Sequence, residues 1–417
     1  MKDKELTVSE KHLPLRIAAF AVAVVVVIAA FTFGFIMMGR QEEGYHVVEA
    51  DPIEEAPIYQ SNIQFSYYFK GKSNAIKAEQ AEIKAYYTSA LNLAYKQLSA
   101  DTEFDGFNNI KTINMSRGEY VTVSDDLYEV LKDAYEKTLE NKGYNMFSGL
   151  LYNEWTNIIM LEDPLEFDPL LNENERLMTE RLSDAVNDLG NFTLEFGENG
   201  RKTVRLKVSD KIEELITEYE MQDSPIIDLN LLHDAYELLL ISRKLEEQGK
   251  NNGYFVTTGG LSMSMSGHDN GAKIVFYGKH DARPSEAASM PMTRGSAASQ
   301  FRSFADSEHE YGYYIVEKYG KTYYRSPYIP SSGKFSDVIM SSVAYSDKAG
   351  ITEVCYANII LNSKASYEEV KEAADGIDNV CAAYTLIRDS EKVFYENKAA
   401  AGVITPENGW TVKNTAD

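Results

Sequence analysis

The sequence predicts an α/β protein, more narrowly an α+β domain on a mixed sheet, carried behind one N-terminal transmembrane helix. Three observations predict it. Residues Ile17 to Gly39, "IAAFAVAVVVVIAAFTFGFIMMG", run without a charge, long enough to cross a ~30 Å hydrocarbon core as a helix rising ~1.5 Å per residue. Helical and strand periodicities then alternate, and strand patterns dominate the second half of the chain, the order of a mixed sheet layered with helices.

The anchor comes first. Lys2, Lys4, Lys11 and Arg16 precede the apolar run, and only Arg40 follows it before an acidic stretch. The positive-inside rule therefore puts the N-terminus in the cytoplasm and the bulk of the chain outside it, on the cell membrane by a single pass. A cleaved signal peptide is the competing reading, but the run exceeds the ~7 to 15 residues of a signal core and no small-x-small site follows closely. The expected division is 1–16 cytoplasmic, 17–39 transmembrane, 40–61 an acidic, proline-containing linker, 62–400 one folded domain and 401–417 a C-terminal tail.

Within the domain, "NIQFSYYFKG" reads as a strand, and Ile76, Ile83, Tyr87, Leu91, Ala94 and Leu98 mark a long amphipathic helix. In "VTVSDDLYEVLKDAYEKTLE", Ser124 is the expected N-cap of a second helix with Leu127 on its first turn. "NFTLEFGENGRKTVRLKVS" alternates on both sides of Gly197 to Gly200 and predicts a hairpin with Phe192, Leu194 and Phe196 opposite Val204, Leu206 and Val208. In "SPIIDLNLLHDAYELL", Ile226 and Ile227 suit a strand end, Asp228 a cap or ligand contact at the turn, and Leu231 onward a helix. "NNGYFVTTGGLSMSMSG", "AKIVFYG", "YGYYIVEKYGKTYYRS", "VIMSSVAYS" and "NVCAAYTLIRDSEKVFYE" supply strands. "SEAASMPMTRGSAASQ" reads as a small-residue loop.

A net charge of -23 excludes nucleic-acid binding, which depends on cations neutralising phosphates. It also opposes adhesion to an anionic membrane surface beyond the anchor. The two cysteines, Cys355 and Cys381, lie in apolar contexts that suit a disulfide outside the cytoplasm and buried free thiols equally. His233, His268, His280 and His309 have no metal-ligand spacing. There is no Walker loop, Gly-x-Ser-x-Gly elbow or paired CxxC.

Taken in order, "FNNIKTIN", "VTVSDDLYEVLKDAY", "KGYNMFSGLLYNEW", "IIDLNLLHDAY", "YFVTTGGLSMSMSG" and "YRSPYIPSSGK" resemble the ApbE-type FAD:protein FMN transferase family over about residues 62 to 400. Gly149, Leu151 and Trp155 match the family's Gly-Pro-Leu-x-x-x-Trp, and Pro330 and Gly333 its Asp-Pro-x-Thr-Gly. The resemblance implies an α+β flavin-transferase domain that binds FAD, uses Mg²⁺ on its pyrophosphate and attaches FMN to a threonine of a partner protein. It places Tyr144, Asn145, Asp228, Tyr236, Gly259 and Gly260 at the nucleotide. From the residues themselves, Asp228 serves equally as a helix cap, Gly259 and Gly260 as a tight turn, and Tyr236 as core.

The departures fall on the chemistry. The family's metal-binding Asp-x-x-x-Thr is matched by Thr352 and Tyr356, with Glu353 one residue along, rotated by ~100° on a helix. Asp234 stands at a family lysine, Ser326 at a histidine and Ile329 at an aspartate. Mg²⁺ is left without its ligand set, and no metal ligand is assigned. Three functions follow: a flavin-nucleotide-binding or partner-binding member with impaired or lost catalysis; an active transferase with a metal site rebuilt from acids such as Glu353 and Asp234; or an interaction module that binds no nucleotide.

Overall fold

The computed structural model describes residues 42–52, 62–161, 163–197, 200–265, 273–280, 283–292, 294–301, 314–325, 338–389 and 391–415. The expected membrane helix at 17–39 lies outside these residues, as do Ser326, Ile329, Pro330 and Gly333. Among the described residues no helix is long and apolar enough to cross a membrane.

The strands are β1 (Gly44–Val48), β2 (Ile63–Phe69), β3 (Val121–Thr122), β4 (Phe192–Phe196), β5 (Thr203–Val208), β6 (Gly253–Thr257), β7 (Leu261–Ser264), β8 (Lys273–His280), β9 (Arg283–Pro291), β10 (Gly295–Phe301), β11 (Tyr314–Lys318), β12 (Lys321–Arg325), β13 (Ile339–Ser346), β14 (Cys381–Leu386), β15 (Val393–Glu396), β16 (Thr405–Pro406) and β17 (Thr411–Asn414). The helices are α1 (Ser73–Leu98), α2 (Ile110–Met115), α3 (Asp125–Leu139), α4 (Gly149–Met160), α5 (Glu173–Asn187), α6 (Asp210–Glu218), α7 (His233–Glu247), α8 (Ile351–Asn362) and α9 (Tyr367–Asp375).

Contacts divide the chain into two units. In the smaller, Met1–Tyr45 with Tyr68–Glu82, the Tyr68 hydroxyl donates to Glu43 Oε1 at 3.0 Å and the Tyr45 ring meets the Tyr68 ring edge-on. The larger, His46–Tyr67 with Ile83–Asp417, carries the main core.

One nine-stranded sheet runs in the order β1-β2-β6-β7-β10-β13-β14-β15-β17. It is mixed: β6, β7, β10, β13, β14 and β15 pair antiparallel in succession, and β17 joins β15 parallel. Smaller sheets are β3-β5-β4, β16-β9-β8 and β11-β12.

Local expectations hold where periodicity is strong. Ser124 Oγ accepts the Leu127 amide at 3.1 Å, capping α3. Phe192, Leu194 and Phe196 face Val208, Leu206 and Val204 across the β4–β5 ladder. The α8 segment is apolar nearly all round and buried from Ile351 to Asn362 except at Glu353 and Ile360, the signature of an interior helix. It packs on β10 and β13, where Ser342 Oγ donates to Asn358 Oδ1 at 2.7 Å and accepts from Asn362 Nδ2 at 2.8 Å.

Three expectations are corrected. Residues 285–300, read as a small-residue loop, form most of β9 and β10, and β10 lies inside the main sheet between β7 and β13. Ala297 and Ala298 are fully covered there: small residues let α8 approach the sheet closely, and composition alone cannot distinguish that from a loop. Ile226 and Ile227 form no strand. They lie in an irregular buried loop whose main chain is hydrogen-bonded by a side chain instead of a neighbouring strand. Strands also occur in the stretches read as linker and tail, namely β1 in 40–61 and β16 and β17 in 401–417, with Trp410 buried between the last two. Both cysteines are free thiols.

Candidate functional site

The loop that opens the site is built by its neighbours. Asn114, on α2, donates through Nδ2 to Ile227 O at 2.9 Å and accepts through Oδ1 from the Ile227 amide at 2.8 Å and the Ile226 amide at 3.3 Å. Gly149, at the start of α4, donates its amide to Ile226 O at 3.2 Å. A Cβ there would collide with the carbonyls of Pro225 and Ile226, so the loop and α4 can touch only at a glycine. The Asp228 amide reaches Met146 O at 2.9 Å.

Past the loop, Asp228 Oδ1 accepts the Asn230 amide at 2.7 Å, closing a local turn just before the segment Asn230–Leu232 that leads into α7. Asn230 takes φ +37°, left-handed backbone that asparagine tolerates. Its Nδ2 donates to Asn145 O at 3.1 Å, tying the turn to the Tyr144–Asn145 segment. Burial pushes the Asp228 carboxyl above the usual range, against the pull of the Asn230 amide and His233.

The sequence-predicted residues divide into core and rim. Tyr144 is buried, its hydroxyl donating to Leu229 O at 3.3 Å. Asn145 is buried too, with Nδ2 on Val186 O at 2.8 Å and Oδ1 on the Phe147 amide at 2.9 Å. Tyr236 is buried, and its hydroxyl donates to Asp133 Oδ2 at 2.7 Å. Burial raises both phenols well above their ordinary range. Gly260, at φ +86°, has no room for a Cβ because Ser299 O of β10 occupies that place. The close approach at this turn is therefore β10's. Gly259 is exposed and faces the Asp234 carboxylate.

Around the rim stand carboxylates and a phenol. Asp234, on the first turn of α7, accepts from Asn62 Nδ2 at 2.9 Å. Tyr152 of α4 lies within electrostatic reach of both Asp228 and Asp234, which add to the effect of burial in raising its phenol. Cys355 of α8 donates to Leu231 O at 3.5 Å, and burial, with Asp234 adding, pushes its thiol up to about 12.

A second cluster was not anticipated. Lys137 of α3 is buried, with 8% of its side chain exposed, and its Nζ lies 2.6 Å from Asp133 Oδ1 and 3.7 Å from Glu353 Oε1. It also lies 5.7 Å from the Tyr356 ring centroid. Glu353 Oε2 accepts from Thr352 Oγ1 at 3.1 Å, and the Tyr356 hydroxyl donates to Lys137 O at 3.2 Å. Tyr236, Asp133, Lys137, Glu353 and Thr352 thus form one continuous polar chain. The signal was present: in Leu127, Val130, Leu131, Ala134, Lys137 a lysine occupies the apolar stripe of a helix, four residues after an aspartate.

Two hydroxyls and one ion-paired carboxylate do not suit a hard divalent cation, which takes about six oxygen ligands. The Thr352 hydroxyl is directed at Glu353, and a positive charge already stands between Glu353 and Asp133. Among the described residues no three His, Cys, Asp or Glu side chains converge as a metal site. Glu353 pairs with Lys137 at 3.7 Å, and one oxygen of Asp234 accepts from Asn62.

The mixed sheet, the interior helix α8 and the buried loop before α7 together define an α/β fold. Its solved counterparts are ApbE proteins. The ApbE protein of Thermotoga maritima matches with a TM-score of 0.54 at 14% identity, over 82% of this chain and 94% of that one. The flavin transferase ApbE of Vibrio cholerae matches with 0.54 at 14%, over 82% and 95%. The flavinyl transferase ApbE of Pseudomonas stutzeri, in its apo form, matches with 0.56 at 13%, over 87% and 97%. No protein-family model and no curated protein matches the sequence. At these identities the likeness fixes the fold: this chain has the ApbE fold in a divergent sequence.

Proposed function

We propose that this chain is a membrane-anchored, extracytoplasmic member of the FAD:protein FMN transferase family in which transfer chemistry is impaired or lost and a flavin nucleotide is bound without a divalent metal. The observation that carries the proposal is the Lys137 ammonium held between Asp133 and Glu353 and 5.7 Å from the Tyr356 ring centroid, with Thr352 bonded to Glu353. Phosphoryl transfer needs developing charge on phosphate to be neutralised at the reacting centre. A monovalent ammonium already engaged by a carboxylate 2.6 Å away would supply less of that neutralisation than a divalent cation. The buried loop before α7, the carboxylates Asp228 and Asp234 beside it and the shared fold support nucleotide binding. The anchor and its orientation rest on the uncharged run at 17–39 and the lysines before it.

The test is thermal denaturation of the full chain in detergent micelles with FAD, with and without Mg²⁺. A ligand at ~100 times its dissociation constant stabilises by ~2.7 kcal/mol. The expected result is a rise in melting temperature with FAD that Mg²⁺ does not change, together with background release of AMP. No rise with FAD removes nucleotide binding, and Mg²⁺-dependent AMP release overturns the loss of catalysis.

A further inference from the structure

We infer that Lys137 is a built-in cation, one that takes the electrostatic place of a divalent metal and sets this protein's indifference to metals; the inference rests on the reading of the site given above. Its side chain enters from the buried face of α3 and ends between a carboxylate of its own helix, Asp133, and one from the first turn of α8, Glu353. These carboxylates have 36% and 51% of their side chains exposed, against 8% for the lysine. The positive charge therefore sits inside and the negative charges flank it toward solvent, the arrangement of a cation held by oxygen ligands.

The surroundings are oxygen-rich beyond the two carboxylates. Thr352 Oγ1 bonds Glu353 Oε2, and the Tyr356 hydroxyl lies 3.4 Å from Glu140 Oε2 as well as against Lys137 O. Tyr236 holds the far oxygen of Asp133 at 2.7 Å. Each of the two carboxylates is tethered through its other oxygen, Asp133 by Tyr236 and Glu353 by Thr352, independently of the ammonium. A buried ammonium excludes a divalent ion from this cluster by like-charge repulsion and by occupying the volume such an ion needs, and its reach into the cluster requires the full lysine stem.

The consequence is specific. Removing the charge while keeping the stem leaves two carboxylates, Asp133 and Glu353, with no cation between them, as many as hold a small divalent ion whose other positions are filled by water. The experiment uses Mn²⁺ alone as the probe on the full chain in detergent, followed by the loss of its free-ion electron paramagnetic resonance signal. The wild type and Lys137→Arg are expected to show no saturable binding at millimolar Mn²⁺. Lys137→Met is expected to gain one site with affinity at least tenfold above any wild-type binding, and Lys137→Met with Glu353→Gln to lose it again.

Where Lys137→Met does not melt cooperatively, Lys137→Gln carries the same expectation. The wild-type arm decides independently of either variant: saturable one-to-one Mn²⁺ binding that Lys137→Arg retains and Glu353→Gln abolishes overturns the inference. So does a folded Lys137→Met that gains nothing. None of these readouts involves flavin, so failure here is distinguishable from failure of FAD to stabilise the protein.

Discussion

Asn114 grips Ile227 from both sides, donating to its carbonyl at 2.9 Å and accepting its amide at 2.8 Å. One side chain thus supplies the pairing a neighbouring strand would give, and the buried loop leading to Asp228 depends on it. Asn114→Ala leaves the Ile226 and Ile227 amides and the Ile227 carbonyl without these partners. An unsatisfied buried group costs about 1–3 kcal/mol, so the variant is expected to lose roughly 3 kcal/mol in chemical denaturation. A loss below ~0.5 kcal/mol, the range of ordinary surface substitutions, would mean that other contacts hold the loop.

Gly149 allows α4 to touch that same loop. Its added methyl would lie 2.8 Å from Ile226 O and closer still to Pro225 O. Overpacking against rigid main chain costs ~1–3 kcal/mol, so Gly149→Ala should destabilise by about that amount and weaken FAD stabilisation if Asp228 is displaced. Unchanged melting with and without FAD would show that the contact has slack.

Burial raises the Asp228 carboxyl, which fixes the sign of a pH effect. The native state holds this proton more tightly than the unfolded chain, whose aspartates titrate near ~3.9. The stability it contributes is complete below that value and declines as pH rises through the raised native pKa. Asp228→Asn keeps an oxygen for the Asn230 amide and removes the titration. Relative to wild type, the variant should become progressively more stable from pH 4 to pH 7. A stability difference constant across that range would sink the assignment.

Both thiols are free, and burial raises each of them, Cys355 up to about 12. Since the thiolate is the nucleophile, a thiol reagent at pH 8 should label the native protein slowly and only at the half-buried Cys381, reaching both sites after denaturation. A reductant should leave the melting temperature unchanged. Fast labelling of Cys355 in a Cys381→Ser variant would show that α8 opens readily.

What the sequence conveyed well was local. Ser124 with Leu127 and the alternation on both arms of Phe192 to Val208 encode a cap and a register within a few residues, and both formed as read. The segments from "FNNIKTIN" to "YFVTTGG" pointed to the flavin-transferase fold through their order along the chain, helices and strands with the turns between them. Residues 285–300 misled because Ser and Ala on an interior strand look like a loop until a helix is known to cover them. Asn145 and Tyr236 were placed at a nucleotide, yet their polar atoms are committed to Val186, Phe147 and Asp133. Only contacts distant in sequence decide whether such a group is free.

By itself, the sequence determined the apolar run at 17–39, the acidic charge balance, and the periodic helices and hairpin. Those are properties of residue type and spacing. Tertiary structure decided that Lys137 and Glu353, far apart along the chain, share one cluster with Asp133, that Asn114 holds the Ile226–Ile227 loop, and that small residues of β10 admit α8. The physical reason is range: periodicity acts over a turn of helix or a pair of strands, whereas a charge in a protein interior is stabilised or opposed by whatever side chains the fold brings within a few ångströms of it.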